Sequence, residues 1–154
     1  MLKSTILIFA GFTPLFVGFL LHISMVSSNF SSREIQSLVV LLIGLIVLGL
    51  HFFLGWASAR FRLSESRLKT ILLLNTAAIL MFLINLYQVF SGSLLWLGSG
   101  NRFWIGMASH LFYSPLMWIA GTLLPARNIT VTMSFSLILL IFSSFSGYSC
   151  SEKD

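Results

Sequence analysis

Apolar residues in this chain do not alternate with polar ones; they run. Five stretches, at 4–26, 37–59, 70–90, 103–124 and 129–148, are almost continuously apolar. Each is close to the roughly 20 residues that a helix needs to cross the hydrocarbon of a bilayer. Strands of a membrane barrel would alternate over about ten residues, so the runs predict helices. The expected fold is all-α: a polytopic integral membrane protein, a bundle of five transmembrane helices with short loops. Residues 1–154 then form a single transmembrane domain with no soluble domain. The first run follows Lys3 as a signal peptide would, but it exceeds the roughly 7–15 apolar residues of such signals and is expected to stay as a helix.

Polar residues punctuate the runs. Ser31 and Glu34 have capping-box spacing ahead of the second helix. Ser64-Glu65 is placed to cap the third and Asn101 the fourth. Gly98-Ser99-Gly100 interrupts the chain before that cap, and Pro125 ends the fourth helix. No repeat or long linker separates a second unit.

Composition turns this pattern into a class. Hydrophobic residues make up 57% of the 154 and charged residues 8%, against roughly 25% charged in a soluble domain. Mean hydropathy is +0.98. Such a chain cannot cover itself with groups that water solvates, so its surface must face lipid. The net charge of +5 would suggest nucleic acid in a soluble protein. Here the basic residues lie in short loops and are better read as topology signals, with no nucleic-acid partner expected. With the N-terminus in the cytoplasm, Lys3, Arg60, Arg62, Arg67, Lys69 and Arg127 fall inside, and Arg33, Arg102 and Lys153 outside. Six against three predicts a cytoplasmic N-terminus and an external C-terminus. Trp56, Trp96 and Trp104 fall near helix ends, as interfacial tryptophans do. Cys150 is the only cysteine, which excludes an internal disulfide, a CxxC redox centre and a Cys-based zinc site.

Each run carries small and polar residues at helical spacing. They are Gly11, Pro14, Gly18 and His22, then Gly44, His51, Gly55 and Ala59, then Asn75, Ala78, Asn85 and Gln88. Gly106, His110, Ser114 and Gly121 follow, then Thr132, Ser136, Ser143 and Gly147. Small residues let helix backbones approach and polar ones find partners across the interface. Acidic residues are missing from the runs: Glu34, Glu65, Glu152 and Asp154 all lie outside them. Buried carboxylates are the usual relay of proton-coupled transporters and pumps. HExxH, GxSxG and Walker motifs are also missing, so an enzyme acting alone is not expected.

The histidines carry what chemistry remains. At about 1.5 Å per residue, His22 and His110 fall in the outer half of the bilayer, level with Asn85 and Gln88, and His51 just below the midplane. Two neutral imidazoles on facing helices could ligate haem iron, or one could hydrogen-bond a quinone carbonyl. Met25 lies three residues after His22, and Met107 three before His110. Imidazole with thioether suits Cu(I), so His22, Met25, Met107 and His110 form a candidate copper set. The plainer expectation is a histidine bonded to Asn, Ser or a backbone carbonyl, with no cofactor. Ser109-His110 is no catalytic dyad, because adjacent helix residues point about 100° apart. In size and helix count alone the chain resembles the translocator protein family and small respiratory-complex subunits. The tryptophan- and proline-rich pattern of the first is missing, with four Trp and three Pro, and no residue role carries over.

The expected function is that of a non-catalytic subunit or accessory factor in the lipid bilayer, packing against partner membrane proteins or its own copies. The alternatives are a redox or ligand-binding bundle with haem, quinone or copper near His22 and His110, and a small transporter or channel subunit.

Overall fold

The computed structural model describes residues 2–27, 33–63, 66–91, 101–123 and 128–151. All regular structure among them is helical: α1 (Leu2–Ala10), α2 (Thr13–Ser27), α3 (Arg33–Arg60), α4 (Arg67–Leu74), α5 (Thr76–Ser91), α6 (Asn101–Leu123) and α7 (Ile129–Ser151). Five rods thus stand where five runs predicted them, but two of the rods are broken.

Both breaks have a local cause. Pro14 has no N–H, so the Ala10 carbonyl loses its helical donor. The Thr13 hydroxyl donates to that carbonyl instead, and the chain turns at Gly11-Phe12 between α1 and α2. In the third rod Asn75 folds back on α4, its backbone N–H and its side-chain amide both donating to the Ile71 carbonyl. The axis bends by 53° there. The cap of α4 is Ser66, which accepts from the Lys69 N–H at 3.2 Å, in place of the expected Ser64. Ser64, Glu65, Ser31 and Pro125 lie outside the described residues.

Three spans are long and apolar enough to cross a bilayer: Lys3–Ser24, Gln36–Arg60 and Ile129–Ser151. The bent pair α4–α5 makes a fourth if it is taken as one span. By the same measure α6, despite its 23 residues, is not apolar enough. Its position explains why. It packs against α2, α3, α5 and α7, and nine of its nineteen positions from Ile105 to Leu123 are buried. The most apolar stretch of each flanking span is only 28% buried. Phe112, Tyr113, Leu116 and Ile119 of α6 form the core with Val47, Ala77, Ala78, Met81, Met133 and Leu140. A helix wrapped by others does not need the lipid-facing apolar surface that its neighbours carry.

Glycine backbones set the closest approaches. α3 and α7 share the most extensive interface, where a β-carbon on Gly55 would collide with the Ser144 carbonyl and one on Gly147 with the Phe52 carbonyl. Gly18 sits in the same way on the Leu111 carbonyl of α6, and Gly44 on the Pro115 carbonyl. Pro115 is inside α6, so the Leu111 carbonyl has no helical donor. The Ser114 hydroxyl donates to it at 3.0 Å, and Gly18 lets α2 close over it.

Lys3, Arg60, Arg62, Arg67 and Lys69 gather at one end of the bundle. α3 ends in a Schellman turn, with Arg62 N–H donating to the Ala59 carbonyl and Leu63 N–H to the Ser58 carbonyl. Arg62 takes the left-handed position at φ 47°. The Lys3 ammonium donates to the Arg62 carbonyl at 3.3 Å. Arg67 donates to the Ser149 hydroxyl and stacks over the Phe145 ring, 3.8 Å from its centroid. The start of α1 and the last turns of α7 therefore meet the α3–α4 turn.

A methyl group at two glycines of α3 should separate packing from propensity. Gly55→Ala is expected to destabilise the bundle by about 1–3 kcal/mol through overpacking. Gly49→Ala, which meets nothing within 4 Å, should be neutral or stabilising by up to about 1 kcal/mol. Thermal unfolding in detergent, run side by side, measures both.

Candidate functional site

Most hydroxyls in the helices are satisfied within one turn. Ser58 donates to the Leu54 carbonyl, Thr132 to that of Asn128, Ser134 to that of Thr130 and Ser136 to that of Thr132. Such back-bonding is how a membrane helix carries Ser and Thr without a partner, so the polar stripe of α7 is largely packing. Bonds between rods are fewer. Ser143 donates to the Leu48 carbonyl at 2.7 Å, Ser109 to the Met81 carbonyl at 3.0 Å and Tyr113 to the Ala78 carbonyl at 2.6 Å. The last two pin α6 to α5 and give Ser109 a structural role.

The residues proposed from sequence divide into two groups. His22 is exposed on α2 and His110 half-buried on α6. Those helices pack closely, and the two imidazoles lie within electrostatic reach of one another. Met107 is half-buried one turn before His110. Met25 belongs to α2, but its side chain lies outside the described residues. Asn85 and Gln88 are buried on α5, each 6% exposed. The extensive contacts of α5 are with α6 and α7, not with α2. The two histidines thus lie on a pair of helices that pack together, and the two amides on α5. No group of three or more His, Cys, Asp or Glu comes together among the described residues.

A third histidine lies deeper. His51 is wholly buried, and neither ring nitrogen has a hydrogen-bond partner. Its ring approaches the Val47 carbonyl one turn back without sound hydrogen-bond geometry. Asn75, 1% exposed, donates from Nδ2 to the Ile71 carbonyl and to the Ser144 hydroxyl, both at 2.9 Å. Its Oδ1 has no partner. Sequence reading placed His51 and Asn75 in their runs without connecting them. The signal available was an Asn-Thr pair inside an apolar run, the mark of a broken helix.

The lower half of α6 shows a different feature. Met117, Trp118, Gly121 and Thr122 line an open groove of about 350 Å³. Trp118 is 43% exposed, and a β-carbon on Gly121 would meet nothing within 4 Å. Compared with known proteins, the chain matches no family model, no curated protein and no solved structure.

Proposed function

We propose that this protein is a non-catalytic membrane subunit whose α6 groove seats a transmembrane helix of a partner membrane protein. One observation carries the reading. α6 is the long helix least suited to lipid, yet it turns Trp118, Gly121, Thr122 and Leu123 outward. Gly121 leaves room for a second backbone, as small residues do at membrane helix contacts. The groove is largely apolar in lining, with the Thr122 hydroxyl bonded back to the Ile119 carbonyl, so packing would supply the affinity.

Crosslinking in native membranes, followed by purification in mild detergent, tests this. A partner retained by wild type and by Gly49→Leu but lost on Gly121→Leu is the expected result. A lone monomer in wild type, or equal capture by both variants, would refute the groove.

Orientation belongs to the same reading. Loop charge supports a cytoplasmic N-terminus. The Lys3–Arg62 and Arg67–Ser149 contacts support a C-terminal end of α7 on that same side, in place of the external C-terminus expected from five crossings. Four spans then cross, and α6 is the helix they enclose. Cys150, exposed in the last turn of α7 and the only cysteine, reports this directly. In sealed vesicles a membrane-impermeant maleimide should label it in the inside-out population and spare it right-side-out. The reverse pattern restores five crossings.

A second reading rests on the proximity of His22 and His110. This pair could hold haem, a quinone or, with Met107, Cu(I). An optical spectrum of protein purified from its own membranes, oxidised and then reduced, together with metal and quinone content, checks it. His22→Ala and His110→Ala should each abolish whatever cofactor wild type carries. Cofactor-free wild type, or content unchanged in both variants, removes this reading.

A further inference from the structure

The two broken rods meet at their breaks. Gly11, in the turn between α1 and α2, lies against the carbonyl of Leu74, the last residue of α4, so closely that a β-carbon there would collide with it. Next to Leu74 is Asn75, whose Nδ2 reaches the Ser144 hydroxyl on α7. The backbone of Ser144 is in turn pressed against Gly55 of α3. His51 stands one turn before Gly55, on the same face of α3, with no solvent exposure. The breaks and the amide therefore meet α7 at one junction, and the buried imidazole lies one turn along α3 from the glycine that α7 presses. Breaks in membrane helices are tolerated where something satisfies the backbone and side chains they release, and paired breaks mark internal binding sites.

The hydrogen bonds fix the chemistry. The Ile71 carbonyl can only accept, so the Asn75 atom facing it must be the nitrogen. Ser144 donates its proton to the Ile141 carbonyl at 3.0 Å and accepts from the same nitrogen. The unpartnered atom is thus Oδ1, an acceptor that needs a donor. His51 adds one ring N–H and one bare nitrogen, with only the Val47 carbonyl one turn back approaching the ring. Leaving such buried groups unbonded costs about 1–3 kcal/mol each, and native proteins meet that need with bound water that makes about three hydrogen bonds.

We propose that the junction binds a small protic molecule, water in the resting protein, which donates to Asn75 Oδ1 and hydrogen-bonds the His51 imidazole. The site is distinct from both the α6 groove and the His22–His110 pair, and it stands whether or not a partner docks.

The chain has three histidines, which makes a spectroscopic test direct. Protein labelled with ¹⁵N-histidine is placed in bilayers, with His22→Ala and His110→Ala identifying the His51 signal by elimination. The expected result is a hydrogen-bonded His51 ring with a cross-peak to water protons, and a shifted ring signal in Asn75→Ala. A ring without a water cross-peak, or one indifferent to Asn75→Ala, overturns the proposal. Stability gives an independent arm. A bridged imidazole makes His51→Phe lower the Tm by about 3 °C or more. A dry site makes the same change neutral or stabilising, because it removes unbonded polar atoms, and that result also overturns the proposal.

Discussion

Backbone carbonyls released inside a membrane helix must find partners within the protein, because hydrocarbon offers none. Three positions among the described residues release them. Pro14 frees the Ala10 carbonyl, Pro115 frees that of Leu111, and the turn at Asn75 interrupts the ladder around Leu74. The answers are local hydroxyls first: Thr13 for Ala10 and Ser114 for Leu111. Glycines come second. Gly18 closes over the Leu111 carbonyl and Gly11 over that of Leu74, where an α-carbon hydrogen gives a weak but favourable contact. The breaks thus choose which rods touch. α2 is drawn to α6 and α1 to α4 by the same need that the breaks create.

That coupling changes what the small-residue stripes mean for function. Read along the sequence, they offer contact surface on every helix, which suits a protein built to dock others. In the fold Gly11, Gly18, Gly44, Gly55 and Gly147 are all taken up by backbone contacts inside the chain. Among the described residues Gly49 and Gly121 remain open. Gly49 lies on α3, an apolar span at home in lipid. Gly121 lies on the helix that is not. The case for a partner therefore rests on the exposed part of one helix and not on glycine content.

The class was legible from the outset, because runs of some 20 apolar residues have one physical use. Helix existence followed, and each run contains a rod. What could not be read is continuity. Pro14 and Asn75 interrupt rods that hydropathy paints as uniform, since hydropathy records a residue's affinity for lipid and not its hydrogen-bonding geometry. The place of α6 was hidden for the opposite reason. Its run looks like a span that is merely less apolar, and only packing reveals that other helices cover much of it. For the site, the similar depths of His22 and His110 were legible, but that α2 lies against α6 was not. That α5, which carries Asn85 and Gln88, packs chiefly on α6 and α7 depends on helix order, which spacing does not encode. His51 and Asn75 were visible as polar residues in apolar runs. The bond from Asn75 to Ser144 is a long-range fact, reaching across 69 residues.

Charge in the loops is insensitive to this difference in architecture. With five crossings, the cytoplasmic side counts Lys3, Arg60, Arg62, Arg67, Lys69 and Arg127 against Arg33, Arg102 and Lys153. With four crossings and α6 enclosed, Arg127 and Lys153 exchange sides and the count is again six against three. The positive-inside rule orients the first helix equally well in both cases and so cannot tell an enclosed helix from a fifth span. Geometry can. Arg67 opens α4 at the basic end of the bundle, and its guanidinium reaches Ser149 and Phe145 in the last two turns of α7. A side chain of that length cannot cross a bilayer of about 30 Å. That contact supports the proposed topology, in which the final helix finishes where the first begins and the number of crossings is even.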